Sequence, residues 1–161
     1  EILDGLIEGP GYVFGTRPAS ADFALYGQLT QLTTVDPTPV KVSRATAPRI
    51  RSWVECVDDL SGLTVADDGF LPLEEQAGRL QPLLAEIGRV YAPFLLANAA
   101  ALEAGAEMVE CEIDGAQWTQ KAFPYQGKCL TWLREAFGGL SEADQARVRA
   151  VIDGTGVEAL L

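Results

Sequence analysis

The amino-acid sequence predicts a mainly all-α fold, a helical bundle that carries one small β-hairpin. Two observations predict it. Apolar residues recur at helical spacing through most of the 161 residues, and the period changes to strict alternation only near 108–120, around an Asp114-Gly115 turn signal. A chain of this length buries a sizeable core, and a single helical domain is expected over 1–161.

Taken in order, Ile2, Leu3, Leu6 and Ile7 read as the end of a helix. Thr16 to Leu32 then pairs a helix-start signal with a buried helix. Pro18 suits the approach to a first turn, the Asp22 carboxylate can fold back onto free amides as a structural cap, and Leu25, Leu29 and Leu32 form one apolar stripe. Ile50, Trp53, Val54, Val57 and Leu60 form a second amphipathic helix, stopped by Ser61-Gly62. Thr64 to Leu73 is a connecting loop, in which Asp67-Asp68 supplies a turn or cap; two adjacent carboxylates are too few ligands for a metal.

The longest helical segment runs from about Glu74 to Glu103, with Leu80, Leu84, Ile87, Tyr91, Phe94 and Leu95 on one face. Pro82 and Pro93 must interrupt or kink it, since each removes an amide donor. Asn98 shares that face, so its amide either ties the helix to a neighbouring backbone or lines a polar pocket. Val109, Cys111 and Ile113 alternate with acids up to the Asp114-Gly115 turn, and Gln117 to Thr119 return as the second strand. Phe123-Pro124 leads into a helix with Gln126, Cys129, Leu130, Leu133 and Phe137 on one side, ended by Gly138-Gly139. Ser141 and Asp144 form a box-like cap for a last helix bearing Val148, Val151 and Ile152.

Charge and composition exclude several functions. Twelve basic against 23 acidic residues give a net charge of −11, with the acids scattered, which disfavours nucleic acid and anionic membranes as partners. The chain has no histidine, so it cannot alone build a Ser-His-Asp triad, a Cys-His pair or a His-containing zinc site. With no long uncharged apolar run and no basic leader, a cytoplasmic protein is expected. Cys56, Cys111 and Cys129 are odd in number and lack Cys-x-x-Cys spacing, which suits reduced thiols and no metal. The densest reactive group is Trp118, Tyr125, Gln126, Lys128, Cys129 and Trp132. Lys128 makes Cys129 a reactive-thiol candidate if both face one cleft, yet adjacent helical residues diverge by about 100°. The alternative is an aromatic core sealing the hairpin onto the helices.

Phe14, Gly15, Pro18, Ala21, Asp22 and Phe23 resemble the C-terminal helical domain of the glutathione S-transferase superfamily, in particular long bacterial members, and Asp36-Pro37-Thr38-Pro39 followed by Ala47-Pro48-Arg49-Ile50 and Trp53-Val54-Glu55 resembles the turn and next helix of those members. The resemblance covers roughly residues 10 to 60. It departs at position 19, where the family's capping Ser or Thr is Ala19; the loss costs about 1 kcal/mol unless Ser20 caps instead. The resemblance implies a transferase-like core over 1–62 and a helical extension over 63–161. It also implies a separate N-terminal thioredoxin-like domain, absent from these residues, that binds glutathione and supplies the thiol-activating group. The chain is then a fragment with no catalytic residue and no cofactor of its own, glutathione being the parent's. In the family the helical domain offers an apolar wall to the electrophilic co-substrate, so Tyr26 and Tyr91 are either substrate-pocket candidates or core residues with satisfied hydroxyls, and Asn98 joins the pocket candidates from its own helix face. Loss of the preceding helices would leave an apolar groove beside Leu25, Leu29 and Leu32, so a homodimer is expected. Two functions follow: the hydrophobic-substrate side of a transferase, inactive alone, or a non-catalytic helical module for protein interaction and assembly.

Overall fold

In a computed structural model covering residues 1–161 the chain is mostly helical, with one two-stranded antiparallel hairpin. It forms two compact units, Glu1–Arg79 and Leu80–Leu161.

The first unit is built from α1 (Ile2–Leu6), α2 (Ser20–Thr30), α3 (Pro37–Thr46) and α4 (Pro48–Asp58), with the start of α5 (Leu73–Glu86). The buried Ile50, Trp53, Val54 and Val57 recur on one face of α4 and pack with Ile7 and Ala47; Leu3, Tyr12, Leu25, Tyr26, Leu29 and Leu60 close around them. The Trp53 indole satisfies its N–H on the Gly11 carbonyl at 2.8 Å. α4 ends at Asp58, short of the Ser61-Gly62 stop expected from sequence and leaving Leu60 outside the helix, but the unit continues because the following loop pairs back on the segment before α2. Thr16 N–H donates to the Gly69 carbonyl at 2.7 Å and Leu71 N–H to the Phe14 carbonyl at 2.9 Å. Gly15 permits this approach: a Cβ there would lie 2.1 Å from the Gly69 oxygen.

Three local features of this unit differ from the sequence reading. The apolar helix ends at Thr30 and continues as a wide π-type turn over Gln31–Val35, with Asp36 N–H reaching the Gln31 carbonyl. Thr30, Thr33 and Thr34 each bond the carbonyl four residues back, which favours such distortion. Thr33 takes the buried place after Leu29 and Leu32 is left 45 % exposed. Asp36 to Pro39 is the beginning of α3 rather than a free turn: the Asp36 carboxylate accepts from Thr38 N–H at 3.0 Å, and both prolines sit in a first turn that needs no amide donors. Finally, α2 starts with Ala19 as N-cap, so Ser20 does not take over the capping role.

The second unit contains the rest of α5, α6 (Ala92–Glu103), β1 (Met108–Ile113), β2 (Ala116–Lys121), α7 (Pro124–Gly138) and α8 (Glu142–Ile152), and a final 3-10 turn at Val157–Leu160. Pro82 is carried within α5, whereas Pro93 follows a second π-type turn over Ile87–Tyr91 that divides the long segment into two helices. The hairpin pairs Val109 with Gln120, Cys111 with Trp118 and Ile113 with Ala116. Asp114 and Gly115, at φ 53° and 78°, form the two-residue turn that the Asp-Gly pair predicts. Its Asp114 carboxylate is held by Arg89, which also binds Glu86 at 2.7 Å. The core is Ala92, Leu95, Leu130 and Leu160 with Val157, Leu96 and Ala99. Val109, 1 % exposed, lies on β1, the strand that packs on α6. Ser141 caps α8 by accepting from Asp144 N–H at 3.2 Å.

Candidate functional site

Asp22 is fully buried, and its two oxygens do different things. Oδ2 accepts from Ala19 N–H at 2.8 Å, closing half of a capping box; Oδ1 accepts from Val13 N–H at 2.9 Å, nine residues earlier. Ala19 has no side-chain acceptor, so the reciprocal bond is missing; Asp22 N–H turns instead to the Ala19 carbonyl at 3.0 Å. The carboxylate thus locks the 12–15 turn to the start of α2, a structural use of charge beside the positive end of a helix. Sequence reasoning missed its neighbour Tyr12, whose phenol is pushed above its ordinary value by burial and by the nearby Asp22 and Cys56.

Another buried acid, Asp4, lies among the apolar residues of the N-terminal helix and is not singled out by the sequence pattern. One of its oxygens accepts from Ile50 N–H at 3.1 Å at the start of α4, the other from Arg49 at 3.0 Å. Burial works to raise its pKa, but those donors together hold it below the ordinary carboxylate value. The signal available in sequence was an acid amid apolar residues, the pattern of a carboxylate that needs a partner.

The candidate side chains do not converge. Tyr26 packs its ring on the α4 cluster and donates its hydroxyl to the Asp58 carboxylate, and this bond, with some burial, raises its pKa. Tyr91 lies at the surface, tilted against Phe94 with ring centroids 6.4 Å apart, its hydroxyl bonded to the Gln126 side chain. Burial raises its pKa and the adjacent Cys129 adds to the effect. Both phenols are therefore protonated near neutral pH. Asn98 is fully buried; its oxygen accepts from Phe123 N–H at 2.7 Å and its nitrogen donates to the Phe123 carbonyl at 3.0 Å. The amide is occupied in tying α6 to the link between β2 and α7.

On α7, Lys128 and Cys129 diverge. Lys128 lines a cleft against α6, whereas Cys129 lies near Tyr91. The aromatic group is not a core: Trp118, Phe123, Tyr125 and Trp132 are each about half exposed, and Leu133 is 40 % exposed. Tyr125 meets Trp132 edge-on with centroids 6.0 Å apart, and Phe123 stands 6.4 Å from Tyr125. The physical reason is that Leu130 alone fills the seam toward Leu95, leaving the flanking rings outside.

That cleft, about 440 Å³, lies between α6 and α7. Ala99, Leu102 and Leu130 give it an apolar lining, and Glu103, Lys128 and Arg134 supply its charges. Arg134 Nε donates to the Leu160 carbonyl at 2.9 Å, which fixes the guanidinium. The sequence pass did not single out Arg134, although Gly127, Thr131 and Arg134 share one helical face with an i, i+4, i+7 spacing. No group of three or more His, Cys, Asp or Glu side chains is placed to hold a metal ion, and no helix is long and apolar enough to cross a membrane. No protein-family model matches the chain, and searches of curated proteins and of solved structures return no match.

Proposed function

We propose that this chain is the helical, hydrophobic-substrate side of a glutathione S-transferase-like protein. It is non-catalytic by itself and works with a thioredoxin-like domain that holds glutathione. The supporting observation is the Asp22 arrangement: a buried carboxylate in an Ala-Asp pair, bonded to Ala19 and Val13, anchors a Gly15 loop to the start of an apolar helix. The motif that suggested the family is thereby a working structural device in this chain. The three cysteines are all unpaired, which suits a reducing, cytoplasmic setting. Phe23, Leu32, Val35 and Val42 are exposed on the first unit and suit a homodimer.

The test is conjugation of glutathione to 1-chloro-2,4-dinitrobenzene by the product of the complete reading frame, with this chain alone as control. Turnover by the complete protein and none by the chain is the expected result. A reading frame without a thioredoxin-like domain, or no turnover, overturns the proposal. The second reading, a protein-interaction or assembly module, rests on the exposed Phe123, Tyr125 and Trp132 of the second unit. It is favoured if the complete protein lacks both a cis-Pro loop and a Tyr, Ser or Cys near its first helix.

A further inference from the structure

We propose that the cleft between α6 and α7 binds a small amphipathic monocarboxylate, its head at Lys128 and Arg134 and its tail on Ala99, Leu102 and Pro124. This inference uses only the second unit and is independent of the transferase reading.

The volume of about 440 Å³ suits a small molecule rather than a protein segment. The lining is apolar where α6 and α7 meet: Ala99 and Leu102 of α6 and Pro124 of α7 line it over the buried Leu130, and Gly127 lets Leu102 come so close that a Cβ on the glycine would lie 2.6 Å from Leu102 Cδ1. The charges select the head group. Lys128 is exposed and makes no ion pair or side-chain hydrogen bond, so its ammonium is free for a ligand. Arg134 is held by the Leu160 carbonyl through Nε alone, which leaves its two terminal nitrogens, the fork that a carboxylate fits.

Two cations face one acid, Glu103, so the cleft is locally positive on a chain of net charge −11. That balance favours a single negative charge. A polyanion would meet Glu103 and the repulsion of the whole acidic surface, while a neutral apolar ligand would leave both cations unused. Thr131, midway between the cations in sequence, donates to the Gly127 carbonyl at 3.2 Å and presents only its remaining lone pairs, so the head must be bound by Lys128 and Arg134.

The experiment is a two-dimensional NMR titration of the chain with octanoate and, separately, with 1-octanol, the neutral analogue. Octanoate is expected to give saturable shifts at Ala99, Leu102 and Thr131 in the low-millimolar range, with 1-octanol binding about five-fold or more weakly. Lys128→Gln should weaken octanoate about five-fold and leave 1-octanol unchanged, and Lys128→Arg should restore octanoate binding. Because Lys128 is exposed and unbonded, its variants keep the fold, which unchanged thermal unfolding verifies. Equal affinity for the two probes would overturn the proposal, as would no saturable shift up to about 10 mM octanoate. Unchanged octanoate binding in Lys128→Gln would overturn the assigned head-group site.

Discussion

Replacing Asp22 with Ala should unfold the first unit selectively. The substitution removes two hydrogen bonds to a fully buried carboxylate, at 2.8 and 2.9 Å, and leaves the Ala19 and Val13 amides without partners. Each bond to a charged group is worth about 1.5–3 kcal/mol, so the two together are worth about 3–6 kcal/mol. A domain of this size loses about 1–1.5 kcal/mol per molar urea, which translates to a fall in midpoint of about 2–6 M. Since whole-domain stabilities are about 5–15 kcal/mol, the variant sits close to the edge of folding without denaturant. Trp53 offers the assay: it is 7 % exposed and is the only tryptophan in Glu1–Arg79. Changing the half-exposed Trp118 and Trp132 to Phe makes its fluorescence a single reporter of this unit. Asp22→Asn keeps one acceptor and should fall between wild type and Asp22→Ala. Ser20→Ala, at an exposed position with no side-chain hydrogen bond, should stay within about 0.5 kcal/mol. A midpoint for Asp22→Ala within about 0.3 M of wild type would mean that the cap does not hold the loop to α2.

Ala19→Ser should stabilise the same unit by about 0.5–1 kcal/mol, read as a higher Trp53 urea midpoint, because the new hydroxyl can accept from Asp22 N–H and complete the box. Asn98→Ala should cost the second unit about 2–4 kcal/mol by removing both bonds to Phe123, visible as a lower calorimetric Tm and loss of near-UV signal from Trp118 and Trp132. In acid the first unit should weaken as Asp4 is protonated. Its folded-state pKa lies below the unfolded value, so its contribution is complete above about pH 4 and is lost as pH falls through the folded value. Exposed Asp59, lowered by its hydrogen bonds with Ser61, has the same sign. Urea midpoints at about pH 6 and 3 should differ less for Asp4→Asn than for wild type.

Much of the local structure was legible in sequence. Asp22 as a cap, the Asp114-Gly115 turn, the Ser141 cap and the break just before Pro93 each rest on interactions within a few residues, whereas Pro82 is carried inside α5. Asp36-Pro37 is as strong a local signal, an Asp cap before a proline in a first helical turn where absent amides cost nothing, but the resemblance assigns it to a turn. The candidate site was legible only in part. Lys128 was noticed for its sequence neighbour Cys129, but the partners that give it meaning, Leu102 and Arg134, come from another helix and from further along α7.

Burial was the property that local patterns could not assign. Leu25 and Leu29 pack inward, but the turn at Gln31–Val35 puts Thr33 inside and Leu32 outside. Leu130 is buried and Leu133 exposed on one predicted helix face, and the aromatics around Trp132 stand at the surface. A helix start, a cap or a two-residue turn is settled by hydrogen bonds among residues adjacent in the chain, so the amino-acid types state it directly. Which apolar stripe leaves water, and which charges come to share a cleft, depends on elements distant in sequence meeting face to face, and that is a property of the packed chain.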